Sequence, residues 1–155
     1  MKSYCWSLIF LGTILLLSCA KSNQGKQEPN LTQAAVFNQQ LGAAYLKEND
    51  FEHAAEKLML AKKQNSQSAD ILLSIAYLFQ KQHQNTLAQS YYEQAFSLAP
   101  DDSKVLNNFG AFLCWRGNYK KGLDFLSKAR VNIKTLNSQS VDENLKICKE
   151  LIDDT

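Results

Sequence analysis

From residue 35 onward, apolar and small residues return at the same offsets every 34 residues, giving three blocks, 35–68, 69–102 and 103–136, without insertion or deletion. Within a block the large residues fall at positions 4, 7, 11 and 24, the small ones at 8, 20 and 27, and a helix breaker at 32. The second block fills all eight positions, with Leu72, Ile75, Ala76, Phe79, Ala88, Tyr92, Ala95 and Pro100. The first supplies Leu41, Gly42, Tyr45, Ala54, Leu58 and Ala61, and departs at Asn38 and Ser66. The third supplies Leu106, Phe109, Gly110, Leu113, Leu126 and Ala129, with Gly122 as a second small residue and Lys134 in place of the breaker. No strand-like alternation appears, so each block predicts two antiparallel helices of about fourteen residues. The small residues at positions 8 and 20 let the paired helices approach closely.

This period and pattern are those of the tetratricopeptide repeat. The fold class predicted is therefore all-α: an α-solenoid of three such repeats, each of which buries its apolar face only against a neighbour. Capping residues stand where the turns should fall. Asn49 and Asp50, Asn85, and Gly117 with Asn118 mark the turns inside the blocks, while Pro100 ends a helix and Asp101 and Asp102 cap the next. A stack needs a polar cover at its end. Residues 137–155 fit a capping helix with Val141, Leu145, Cys148, Leu151 and Ile152 on one face.

Residues 1–18 do not share this pattern. They carry one charge, Lys2, then an apolar stretch over 8–17 and the small residue Ser18. That reads as a secretory signal, too short to cross a hydrocarbon core of about 30 Å comfortably. Leu16, Leu17, Ser18 and Cys19 resemble the bacterial lipobox, in which signal removal exposes a cysteine that is acylated, so Cys19 is the expected lipidation site. Several acyl chains, at about 0.8 kcal/mol per buried methylene, hold a protein on a membrane almost permanently. Ala20 follows the cysteine where Asp favours inner-membrane retention, which implies the periplasmic face of the outer membrane. Residues 20–32 are polar and carry Gly25 and Pro29, so residues 19–34 are expected to form a lipidated cysteine and flexible tether. Its thirteen residues from 20 to 32 span about 45 Å when extended.

Composition narrows the function classes. The 17 basic and 15 acidic residues are interspersed, leaving no basic stripe for nucleic acid and no acidic tail. His53 and His83 are the only histidines, near helix ends of different repeats, and no metal-spaced cluster, phosphate loop or nucleophile elbow is present. The paired acids, such as Asp101 with Asp102 and Asp153 with Asp154, fall at turns and in the tail. The sequence therefore argues against an enzyme, and predicts no cofactor, no metal and no small-molecule substrate.

Two cysteines remain beyond the signal and the lipobox, and both occupy position 12, Cys114 in the third block and Cys148 in an unfinished fourth counted from Asn137. Equivalent residues on neighbouring first helices lie side by side, with axes about 8–10 Å apart. A disulfide is geometrically allowed provided the Cα atoms come within about 7 Å; the alternative is a pair of buried free thiols acting as small apolar residues. An oxidising periplasm favours the bond.

The run Asn107, Asn108, Phe109, Gly110, Ala111, Phe112, Leu113, Cys114, with Arg116, Gly117, Asn118 and Tyr119 after it, closely resembles a segment of the PilF/PilW lipoproteins, the type IV pilus biogenesis and stability proteins. Glu143, Asn144, Leu145, Lys146, Ile147 and Cys148 resemble the corresponding family segment one repeat later, with Lys146 in place of a glycine. The resemblance implies an outer-membrane lipoprotein of tetratricopeptide repeats that acts as a pilotin for the secretin ring through which the pilus passes, or that stabilises the pilus. The chain has fewer repeats than such proteins usually carry, so contacts made by later repeats are lost or supplied elsewhere. Repeats plus lipobox alone also fit a subunit of the outer-membrane protein assembly machinery, and the Asn107–Cys114 segment favours the pilus.

First helices of such repeats line a concave face through positions 2, 5, 9, 12 and 13. From these the partner-binding groove is assigned to Leu46, Leu73, Tyr77, Asn107, Ala111 and Trp115. The four large apolar side chains are anchors for a pilus-assembly partner or cover for a neighbouring helix, and Asn107 is the hydrogen-bonding group for a peptide backbone.

Overall fold

A computed structural model describes residues 30–132 and 138–153. The signal segment 1–18, the lipidation site Cys19 and the tether up to residue 29 lie outside the described residues, as do 133–137 and 154–155. Seven helices and no strands make up the described residues. They are α1 (Leu31–Lys47), α2 (Phe51–Gln64), α3 (Ala69–Lys81), α4 (Asn85–Leu98), α5 (Ser103–Trp115), α6 (Tyr119–Val131) and α7 (Ser138–Asp153). Helices α1 with α2, α3 with α4 and α5 with α6 form successive hairpins, and α7 packs on both α5 and α6. The first helices α1, α3, α5 and α7 adjoin in order, as an all-α solenoid requires.

The turn inside each hairpin is built the same way. Asn49, His83 and Gly117, one period apart, take φ of 57°, 59° and 81°, the left-handed conformation that ends a helix. Each places the next residue's N–H on a carbonyl five residues back: Asp50 on Tyr45 at 3.0 Å, Gln84 on Phe79 at 2.8 Å and Asn118 on Leu113 at 2.8 Å. Asn30, Asp50, Ser68 and Asp102 cap α1, α2, α3 and α5 through side-chain oxygens.

Several expectations need correction. Helix α1 takes Leu31–Ala34 from the segment expected to be tether, because Asn30 accepts the Gln33 N–H at 3.1 Å. Asn85 does not cap α4: Gln84 is the N-cap, and the Asn85 side-chain oxygen is buried without a hydrogen-bond partner. Asn118 is the N-cap of α6 by position, but its side chain makes no capping bond. On α7, Val141 and Cys148 are buried and Leu145 and Leu151 half-buried, whereas Ile152 is exposed. Asn38, the polar departure from the repeat pattern, is accommodated by donating to Gln64 at 2.9 Å within its own hairpin.

The core changes character along the stack. Around the first repeat it is aliphatic, with Ala35, Leu46, Ala54, Leu58, Ala61, Ile71, Ile75 and Leu78. Between the second and third repeats it is aromatic: Tyr92 stacks on Phe109 at 5.6 Å, and Phe96 on Phe125 at 4.9 Å. At the far end a third cluster gathers Cys114, Leu126 and Cys148.

Candidate functional site: a cleft across the first helices

The first helices of the first two repeats do not close fully against each other. Ala43, on α1 at position 9 of the first block, is small, and the next repeat puts Leu73 and Tyr77 on the other side of the cleft. The result is a cleft of about 350 Å³ lined by Ala43, Leu46, Lys47, Leu73, Ser74, Tyr77 and Asn108. Leu46 and Leu73 are buried and form the apolar floor, while Tyr77 is 45% exposed and forms a wall. A ring that large, half in water beside an open apolar floor, is the kind of side chain that anchors a partner.

Polar bridges fix the helices that frame the cleft. Gln39 donates to Ser74 Oγ at 2.9 Å across α1 and α3, and Ser74 Oγ donates to the Asp70 carbonyl oxygen at 3.0 Å. Lys104 on α5 pairs with Asp70 on α3 at 2.6 Å. Asn108 holds its amide nitrogen on the Lys104 carbonyl oxygen at 2.8 Å. Behind the wall, the Tyr92 hydroxyl donates to Gln80 Oε1 at 2.8 Å. Burial, with Tyr77 nearby as a smaller cause, pushes the Tyr92 phenol well above the ordinary tyrosine value, so it stays a donor at neutral pH.

Of the six groove residues expected, the structure brings Leu46, Leu73 and Tyr77 together. Asn107 is buried instead and accepts from the Asn144 amide at 3.0 Å, tying α5 to α7, so it is not the group a peptide would meet. Its neighbour Asn108 takes the cleft-lining place. Ala111 is half-buried and outside the lining. Trp115 is 48% exposed but stands apart, its ring 6.3 Å from Phe112 with Arg116 at 6.0 Å. Ser74 and Asn108 went unrecognised because both are at position 6 of their blocks, a column that also holds Gln40. An uninterrupted polar column among core positions was the available signal.

Cys114 and Cys148 form a disulfide, with Cα atoms 5.4 Å apart. Both residues are buried, and the bond joins the third repeat to the capping helix. His53 is solvent-facing, its Nδ1 2.7 Å from the Asp50 carboxylate and its ring stacked 5.2 Å from Tyr45.

No protein-family model matches the chain. The type IV pilus assembly protein PilF of Pseudomonas aeruginosa is 30% identical over 142 residues, which cover 90% of this chain and 56% of that protein. The solved structure of P. aeruginosa PilF superposes with a TM-score of 0.72 at 29% identity, over 79% of this chain and 55% of that one. PilW, described as a widely conserved type IV pilus biogenesis factor, gives a TM-score of 0.73 at 26% identity, over 79% of this chain and 56% of its own. The chain thus spans about half the length of the relatives it matches. The TPR2B domain of yeast Sti1, solved in a complex with pHsp70, has a TM-score of 0.66 at 16% identity over 76% of this chain and 98% of that one, a likeness of fold alone.

Proposed function

Since the chain is a homologue of PilF and shares the tetratricopeptide fold of PilF and PilW, we propose that it is a pilotin-like scaffold of type IV pilus biogenesis. In this reading Cys19 carries the lipid that holds it to the periplasmic face of the outer membrane. The cleft captures a segment of the pilus secretin, or of a neighbouring pilus-assembly protein, where the ring must form. The observation that carries the binding role is the apolar floor of Leu46 and Leu73 beside the half-exposed Tyr77. Scaffolding needs only a rigid surface and an anchor, and the repeats supply the surface.

Deleting the protein should lower secretin multimers and surface pili together. A Cys19→Ser variant should leave the outer-membrane fraction, since a polar tether has no affinity for lipid of its own. A general loss of unrelated outer-membrane barrels with intact secretin rings would identify an assembly-machinery subunit instead, and the pilotin reading would be abandoned.

A further inference from the structure

We propose that the occupant of the cleft is an extended segment with an acidic residue beside a large apolar one. The apolar side chain seats between Leu46, Leu73 and Tyr77, and the carboxylate meets Lys47 and Lys81. This rests on the reading of the cleft as a partner-binding groove and adds what the partner must look like.

The argument comes from the distribution of charge around the cleft. Lys47 lines it, in the last turn of α1, and Lys81 holds the equivalent place in the last turn of α3, 34 residues on. Equivalent residues on successive first helices are neighbours in this stack: Asp70 and Lys104 at position 2 pair at 2.6 Å, and Cys114 and Cys148 at position 12 are bonded. Lys47 and Lys81 are thus adjacent like charges, both exposed, and no ion pair seen among the described residues includes either. At position 14 beside them, Glu48 and Arg116 carry opposite signs. The opposite edge of the cleft is neutral, because Asp70 and Lys104 cancel. The cleft is therefore apolar on its floor, neutral at one edge and positive at the other. Such a surface is complementary to a segment that pairs an apolar anchor with a negative charge, and repels one that pairs it with a positive charge. Asn108 can offer its amide oxygen to a backbone N–H of the same segment.

The test uses short fluorescein-labelled peptides with one central Phe, flanked by Glu, Ser or Lys, titrated against the whole chain by fluorescence anisotropy at low and high salt. The Glu-flanked peptide should bind best and weaken with salt. Double charge reversal, Lys47→Glu with Lys81→Glu, should weaken it about tenfold or more and turn the preference toward the Lys-flanked peptide. Both lysines are exposed, and circular dichroism will confirm that the variant folds. Equal binding of the three peptides, binding unchanged by the charge reversal (lysines that serve only their helix ends), or no binding at all overturns the proposal. The groove reading fails separately, if Tyr77→Ala leaves capture of the secretin and of other pilus-assembly proteins unchanged.

Discussion

Where α1 meets α3, block positions 9 and 12 of the first repeat carry Ala43 and Leu46, and a cleft stays open beside Tyr77. Where α5 meets α7, the same position 12 carries Cys114 and Cys148, and the space between the helices is closed by a covalent bond. Three further contacts hold α7 down: Asn144 on Asn107 of α5 at 3.0 Å, Asp142 on Arg130 of α6 at 2.6 Å, and Val141 fully buried under the third repeat. Only the Gln39–Ser74 hydrogen bond is a polar bridge of this kind between α1 and α3 among the described residues. One backbone repeat has thus been given two uses by side-chain choice at equivalent positions. The open junction leaves a cleft, and the closed one ties down the far end of the stack.

The largest expected effect breaks the closed junction. Replacing Cys114 and Cys148 by serine removes a cross-link between residues 34 apart. On the chain-entropy account this costs about 3–4 kcal/mol of stability. Urea unfolding of the oxidised wild type against the double variant measures it. Peptide binding in the cleft, at the other end of the stack, should stay within about twofold once the variant is folded, since distant sites are nearly independent. A stability change under 1 kcal/mol would show that the capping helix is held by its packing alone.

Gly122 belongs to the same comparison. At position 20 the first two repeats use Ala54 and Ala88, and only the third uses glycine. A Cβ at 122 would run into the Cys114 sulfur and lie 2.9 Å from both the Cys114 nitrogen and the Gly110 oxygen. The bonded sulfur occupies the space that an alanine methyl fills elsewhere, so the departure from the repeat pattern is the counterpart of the disulfide. Gly122→Ala should destabilise by about 3 kcal/mol, at the upper end of what overpacking costs. Made together with a Cys114→Ala and Cys148→Ala pair, it should cost less, and that non-additivity in denaturant unfolding is the signature of the shared space.

These two ends also show how much was legible in the sequence. The period of 34 located every hairpin because the large and small positions are set by helix–helix packing, which varies little from repeat to repeat. The side-by-side position of Cys114 and Cys148 followed from the same frame. What the frame could not supply was the direction of a side chain that has two neighbours to choose from. The frame assigns Asn107 to the groove and passes over Asn108, whereas Asn107 is buried and accepts from Asn144 on α7, and Asn108 lines the cleft. Leu46 and Leu73 likewise count as groove positions and are buried, forming its floor rather than projecting from it. The start of α1 was hidden for a different reason. Asn30 followed three residues later by Gln33 is a capping signature, but it lies ahead of the first block, where the repeat says nothing.

Next in size is the open junction itself. Tyr77→Ala removes the wall of the cleft and should weaken partner capture by about 2 kcal/mol, as loss of a central aromatic anchor does. Trp115→Ala removes a ring of similar exposure that stands outside the cleft, and should cost less than half as much. Quantitative pull-down of the secretin from envelope membranes compares the two. Equal losses would extend the binding surface along α5 and make the cleft only one part of it.

The smallest expected effect is on the turn that begins α2, at the open end. Asp50 accepts the His53 backbone N–H at 3.2 Å, and its second oxygen lies 2.7 Å from the His53 ring nitrogen. The backbone bond first, and the side-chain bond second, hold the Asp50 carboxyl below its ordinary value. A carboxyl whose folded-state value is depressed contributes stability that is fully present above the unfolded value, about 3.9, and lost as pH falls through the lower folded one. The protection factors of the first-turn amides of α2, taken against the intrinsic exchange rate at each pH, should therefore fall as pH drops below about 4. At the closed end the disulfide and the Asn107–Asn144 amide pair have no proton to gain, and the one carboxylate in the closure, Asp142, lies in an exposed pair with Arg130 of α6, so the α7 amides should show a smaller step than those of α2. Asp50→Asn keeps an accepting oxygen for the cap but loses the charge, and should flatten the acid-side change at α2 while leaving α7 untouched. If wild-type α2 and α7 lost protection in parallel on acidification, the two ends would be acting as one cooperative unit, and the contrast between an open and a closed junction would not extend to their stability.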